Sequence, residues 1–312
     1  MERRSWVREI ELAGDASYRR YTRLVAASGA TAIRVTYPAE RAQALVRDRD
    51  VLAWLSERGL RVPQLLGLEQ EPGQLYVEDF GDQDAEQGLR HLDSVARWEY
   101  LGRLLSPLVT LATIPADDLP RWNPPLDTAR LREELRAFEN WFLKRLIARP
   151  SSPEVGGWLD DLAAAVGGHP VRVCHRDYHL NNLYFLGEGR VGVIDAQDVL
   201  IGPDTYDAAS LVGERAFPEL VGKTETRGWL DLWANATDAQ SGWERRVLET
   251  GTQRALKVLG TFARLELNGK PGYRRWMKPL ARRAVEAVRD LVAPPQLVDT
   301  LLDFEVGGSH VR

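Results

Sequence analysis

Cysteine is almost absent from this sequence: Cys174 stands alone among 312 residues. No disulfide within the chain can staple its fold, which suits a reducing compartment. A run of about 18 apolar residues, the length a membrane-spanning helix needs, is also missing. Met1 to Arg8 carries charges and no apolar core of the signal-peptide kind. Neither sign of charge dominates, with 41 Lys and Arg against 45 Asp and Glu and a net charge of −4, and no basic stripe points to nucleic acid. Internal repeats and low-complexity tracts are lacking too. These absences lead to the expectation of a cytoplasmic globular protein without nucleic-acid or membrane partners; a monomer is expected as well. What remains is ordinary for that class, with 44% hydrophobic and 28% charged residues. The length suits one large domain or two lobes.

The first eighty residues read as strands around one helix. Trp6, Val7, Ile10 and Leu12 make a strand-like run, broken at Ala13-Gly14-Asp15; a second run spans 18–25, and Ser28-Gly29 turns the chain into a third at 31–37. A helix follows over 40–58, with Leu45, Leu52 and Leu55 on one face, Gly59 as its stop and Pro63 beyond. Residues 65–68 and 75–77 are further strands about the turn Glu71-Pro72-Gly73, and the polar stretch 78–84 is a candidate hinge. The chain is then mainly helical. Asp93 caps a helix carrying Val95, Trp98, Leu101, Leu105 and Leu108, with a break expected at Pro107. Beyond a proline-rich loop, Leu131, Leu135, Phe138 and Phe142 mark an amphipathic helix. Residues 150–157 read as a connector and 171–174, 183–186 and 191–194 as short strands. Two helices, 251–267 and 276–292, are expected to close the chain.

The stretch with most chemistry is Val173-Cys174-His175-Arg176-Asp177-Tyr178-His179-Leu180-Asn181-Asn182, followed by Val193-Ile194-Asp195. Apolar strands deliver two polar positions, as a site with fixed geometry requires. Phosphoryl transfer needs a carboxylate to orient the attacking hydroxyl and hard oxygens to hold magnesium on the phosphates of ATP. Asp177 fits the first role, and the Asn182 amide and Asp195 carboxylate fit the second. The His-x-Asp-x-x-x-x-Asn spacing with a later Asp behind an apolar strand matches a kinase catalytic loop. Turn capping by the same residue types is the plain alternative. His175 reads as a brace for the loop, His179 as either a substrate contact or a solvated loop residue, and Cys174 as a buried, inert thiol.

These residues resemble the aminoglycoside phosphotransferase and choline kinase superfamily, to whose pattern His175, Asp177, Asn182, Asp195, Asp198 and Tyr206-Asp207 correspond. Within it, four segments are most similar to bacterial cell-wall recycling kinases, which phosphorylate the anomeric hydroxyl of N-acetylmuramate and N-acetylglucosamine. They are Gly14-Asp15-Ala16-Ser17-Tyr18-Arg19-Arg20-Tyr21, the helix from Leu131 through Trp141-Phe142-Leu143, the stretch from His175 to Gly202-Pro203, and Leu256 to Leu265. The resemblance implies an α+β, bilobal protein-kinase-like fold. A small β-rich N-terminal lobe would span 1–78, a hinge 79–84 and a larger, mainly helical lobe 85–312. It further implies ATP and Mg2+ as cofactors, Gly14, Ser17 and Tyr18 covering the ATP phosphates, and Glu78-Asp79-Phe80 meeting adenine through backbone groups. Asp207 would brace the catalytic loop. Gln197, Asp198, Trp141 and Arg264 are candidates for gripping a sugar, with core packing or surface capping as their alternatives.

One departure stands out. Such kinases carry a lysine on the third strand, and Thr31-Ala32-Ile33-Arg34-Val35 has none. Either Arg34 grips phosphate with its planar fork, with Asp48 orienting it, or both are surface charges. Three readings follow: an anomeric sugar kinase, a kinase for another alcohol (aminoglycoside, choline or a hydroxy amino acid), and a nucleotide-binding pseudokinase.

Overall fold

The computed structural model describes residues 6–12, 18–71, 73–214 and 216–306. Among the described residues nine strands run in chain order: β1 (Trp6–Leu12), β2 (Arg20–Ala26), β3 (Thr31–Thr36), β4 (Leu65–Glu69), β5 (Gln74–Val77), β6 (Val171–Cys174), β7 (Leu183–Phe185), β8 (Val191–Val193) and β9 (Leu200–Pro203). The helices in the first half are α1 (Ala42–Glu57), α2 (Ala85–Arg90), α3 (Ser94–Arg103), α4 (Leu105–Thr113), α5 (Thr128–Ala137) and α6 (Pro153–Gly167). Those in the second half are α7 (Tyr206–Gly213), α8 (Phe217–Leu220), α9 (Lys223–Ala236), α10 (Trp243–Leu267), α11 (Arg274–Asp290) and α12 (Pro295–Val306).

The chain divides into two compact units, residues 1–114 with 180–199 and residues 115–179 with 200–312. In the first, five antiparallel strands lie in the order β1-β2-β3-β5-β4. Alternation along β3 aims Ile33 and Val35 at a core with Tyr37, Leu45, Leu75 and Val77, so Arg34 projects from the other face. Helix α1 ends as its sequence suggests: Gly59 takes a φ of +84°, and the Gly59 and Leu60 N–H groups close onto the carbonyls of Ser56 and Leu55. The division differs from lobes at 1–78 and 85–312, because α2–α4 and the β7–β8 hairpin fall in the same unit as the sheet. Phe185 lies on Gly88 of α2, and the Val193 N–H donates to the Arg61 carbonyl at 2.8 Å.

The second unit is built on a helical core. Leu131, Leu135, Phe138 and Phe142 are fully buried, each contributing roughly 1.5–3 kcal/mol. The expected stripe is therefore real, although after Ala137 the helix widens into a π-helical run over Phe138–Leu146. Gly260 of α10 permits close approach to this run, since a Cβ would come to 2.5 Å from the Phe138 nitrogen.

Several sequence expectations need correction. The break expected at Pro107 falls at Leu104, and Pro107 sits in the first turn of α4, where a missing N–H costs nothing. Residues 150–157 are no mere connector: Ser152 caps α6 by accepting from the Val155 N–H, and Pro153 takes its first position. Strand β9 pairs with β6, helices α7 and α9 precede α10, and α12 rather than α11 is the final helix described.

Candidate active site

In the second unit β6 leads into the loop that carries Asp177. Val173 and Cys174 are buried and pair with Ile201 and Leu200 of β9. Burial pushes the Cys174 thiol well above its ordinary range, so it stays neutral, as expected of an inert core residue. The next two N–H groups, of His175 and Arg176, donate to the two Asp207 oxygens at 2.7 and 2.8 Å. Asp207 lies in the first turn of α7, and this is the bracing that the resemblance implied. Arg176 is left-handed, with φ of 79°, a conformation costing a non-glycine residue about 1–2 kcal/mol. It is held from its other side too, where Arg254 Nη1 donates to the Arg176 carbonyl at 2.9 Å.

Arg254 was not foreseen. It is 2% exposed, ion-paired with Glu214, and lies over the Tyr206 ring at 4.3 Å. Arg176 reaches Glu134 Oε1 at 3.1 Å, and Gln253 donates to Glu134 Oε2 at 3.1 Å. Gln253, Arg254 and Lys257 interrupt the apolar pattern of α10 on its inward side, and that was the available signal. Burial alone would raise the Asp177 pKa, but Lys257, Arg254 and Arg176 outweigh it and hold the carboxyl at about 2. Burial likewise opposes ionisation of Glu134 and Glu214, but Lys257 and Arg176 hold Glu134, and Arg254, His179 and Lys257 hold Glu214, below the ordinary carboxylate range. His175 is buried with its ring edge-on to Tyr178. The buried His179 donates its N–H to the Asp177 carbonyl at 3.1 Å. Arg264 is exposed and lies ten positions beyond Arg254 on α10, about 15 Å along the helix. Trp141 packs on the helical core with Arg145 over its ring at 4.3 Å. Arg264 therefore stands well along α10 from the Arg254 that braces the Asp177 loop.

The first unit carries Asn182 and Asp195. Leu183 pairs with Val193, and the Asn182 carbonyl accepts from the Ile194 N–H at 2.9 Å. The hairpin thus sets buried Asn182 and half-exposed Asp195 at one end. Asp195 adopts φ of 64°, and its Oδ1 accepts from Gln197 at 2.8 Å and from Arg19 at 3.3 Å. Asp198 follows one residue later, at 3.5 Å from the Gln197 amide. No three His, Cys, Asp or Glu side chains gather into a metal site among the described residues. An amide and a carboxylate oxygen at one hairpin end nevertheless suit magnesium, which takes most of its ligands from phosphate and water.

Asp48 is not the partner of Arg34. It accepts from the Tyr37 hydroxyl at 2.9 Å and from Arg19 Nη1 at 3.2 Å, while Arg34 forks onto Glu9 at 2.9 and 2.6 Å. Residues 79–82 are pinned by Arg23 of β2, which reaches Asp79 Oδ2 at 2.5 Å, the Gly81 carbonyl at 2.9 Å and also Asp82. The Glu78 N–H is committed to the Gln64 carbonyl and its carboxylate to Arg61. Phe80 packs on Gly192 of β8 and against Tyr184, with ring centroids 5.7 Å apart. Tyr18 is exposed beside Arg41. Gly14 and Ser17 lie outside the described residues.

A sequence model of the phosphotransferase enzyme family matches residues 9–248. The chain belongs to that family. An N-acetylmuramate/N-acetylglucosamine kinase from Pseudomonas aeruginosa is 32% identical over 277 residues, covering 85% of this chain and 79% of that one. The kinase of the same name from Neisseria meningitidis is 27% identical, covering 88% and 86%. Among solved structures, a choline kinase from Streptococcus pneumoniae superposes with a TM-score of 0.62 at 15% identity, covering 91% of this chain and 94% of that one. An aminoglycoside phosphotransferase from Streptomyces rimosus, in complex with ADP and streptomycin, gives 0.55 at 18% identity, covering 79% and 94%. The fold is that of these protein-kinase-like phosphotransferases. No helix among the described residues is long and apolar enough to cross a membrane.

Proposed function

We propose that this protein is an ATP-dependent kinase that phosphorylates the anomeric hydroxyl of N-acetylmuramate or N-acetylglucosamine, as a cytoplasmic monomer in peptidoglycan recycling. The observation that carries the reading is Asp177, kept anionic by three cations on a doubly braced loop, in a chain 27–32% identical to kinases of that name. Asp177 accepts a hydrogen bond from the C1 hydroxyl and aims its oxygen at the γ-phosphorus. As the new O–P bond forms, the bridging P–O bond breaks, ADP leaves, and the hydroxyl proton passes to Asp177. A carboxylate of pKa about 2 is a weak base, so the proton moves late, when bonding to phosphorus has already made the oxygen acidic. A loose transition state asks for little more than that alignment, and an anomeric hydroxyl is more acidic than an ordinary sugar alcohol.

Magnesium held by Asn182 and Asp195 would neutralise charge on the phosphate oxygens. Gly14, Ser17 and Tyr18 would cover the phosphates. Because the Glu78 N–H is already bonded, adenine would meet the Glu78 carbonyl and the Phe80 backbone. His179, Gln197 and Asp198 are proposed to contact the sugar. The test is phosphorus NMR of the product, where the new phosphate should couple to the anomeric proton. A C1 methyl glycoside should be inert, and choline and aminoglycosides should turn over far more slowly. Phosphorylation of the blocked sugar as fast as the free one would rule out transfer to C1.

A further inference from the structure

The role left open by the missing third-strand lysine has another occupant. Residues on β3 alternate between the faces of the sheet, and Arg34 points away from the α1 side, where Asp48 lies. The α1-facing positions of that strand, Ile33 and Val35, are apolar, so no side chain of β3 brings a cation to Asp48. Arg19 does so from the neighbouring strand. It stands one residue before β2, two positions from Tyr21, which packs on the α1-side core. Continuing the β2–β3 register, in which Arg20 pairs with Thr36, sets Arg19 across from Tyr37. Both meet Asp48.

The guanidinium spans two acids from separate elements. Its Nη1 lies 3.2 Å from Asp48 Oδ2 and its Nη2 3.3 Å from Asp195 Oδ1. The two acids differ in setting. Asp48 is 3% exposed and further fixed by the Tyr37 hydroxyl and by Arg47 at 3.2 Å. Asp195 has 38% of its side chain exposed. A planar, permanently charged group anchored on one side and facing a half-exposed carboxylate on the other suits recognition of phosphate oxygens.

We propose that Arg19 is the phosphate-binding cation of this chain, delivered from β2 and anchored by Asp48, and that it grips the polyphosphate of a nucleoside triphosphate beside Asp195. This rests on the nucleotide part of the proposed function and is independent of the acceptor. The test compares binding of MgATP, MgADP and adenosine by calorimetry in the wild type, Arg19→Ala, Arg19→Lys and Arg34→Ala. Arg19→Ala should weaken MgATP and MgADP by roughly ten- to hundredfold, the loss of a hydrogen bond to a charged group, while adenosine stays within about twofold. Arg19→Lys should recover part of the loss, since a point charge keeps the attraction without the fork. Equal losses for adenosine and ATP in Arg19→Ala would reduce the residue to a structural brace. A phosphate-selective loss in Arg34→Ala that Arg19→Ala does not show would return the role to β3. Sugar phosphorylation is followed in the same wild-type preparation. A wild type that binds ATP but phosphorylates neither sugar removes the acceptor assignment and leaves the ATP–adenosine comparison to decide on Arg19.

Discussion

Replacing Asp207 by asparagine tests whether the Asp177 loop depends on this one buried carboxylate. Asp207 is 6% exposed and accepts the N–H groups of His175 and Arg176 on its two oxygens. Asparagine offers one oxygen, so one bond survives without its charge and the other N–H faces an NH2 group. Losing a charge-assisted bond costs about 1.5–3 kcal/mol, and a buried orphan donor about 1–3 kcal/mol more. Part of this is returned, because burial already raises the Asp207 pKa against the pull of His175 and the two N–H bonds, and the neutral amide has no charge to desolvate. A net loss of about 2–4 kcal/mol is expected, or roughly 5–10 °C in melting temperature for a unit of this size. The strained Arg176 backbone is then held from one side alone, so Asp177 loses its alignment and kcat falls by about a hundredfold. The KM for ATP should change little. Thermal melts and steady-state kinetics check both effects. A melting temperature within about 1 °C of wild type with kcat within about threefold would refute the bracing argument.

Asp177→Asn should retain the fold and ATP affinity but lose about 10²–10⁴ in turnover. Its stability carries a second signature. Asp177 falls from an ordinary 3.8 to about 2, so its ionised form contributes roughly 2 kcal/mol, fully present above about pH 4 and lost as pH falls through about 2. Denaturant unfolding should show a variant less stable at pH 7, with the gap narrowing below pH 4; a gap independent of pH would count against the cation cluster. Gly260→Ala drives a methyl to 2.5 Å from the Phe138 nitrogen and 2.6 Å from the Ala137 carbonyl carbon. Backbone atoms cannot step aside as a side-chain tip can, so this variant should lose about 3 kcal/mol or more. A melt unchanged from wild type would mean the two helices separate freely.

Much of the fold was legible because it is local. Short runs bounded by turn residues marked the sheet strands, the Leu131–Phe142 stripe marked the main helix, and Gly59 marked the end of α1. Helix α6 was missed because Gly156-Gly157 and Pro150 outweighed Ser152 and Pro153, whose cap and first-turn positions start a helix. Strand β9 was missed because four residues become a strand only by pairing with β6, far back in the chain.

The sequence by itself determined the chemistry on offer: a carboxylate at 177, an amide at 182 and a carboxylate at 195, set behind apolar strands at a kinase spacing. Only the tertiary structure decided which charges meet. Spacing can show that Arg19 and Arg34 belong to neighbouring strands and that Asp48 lies on a helix. Parity in the sheet and the packing of α1 then turn Arg19 toward Asp48 and Arg34 toward Glu9. The clamp of Asp207 and Arg254 on one left-handed residue is of the same kind. Electrostatic and hydrogen-bond partners are chosen by distance in space, and that distance is set only once the core has closed.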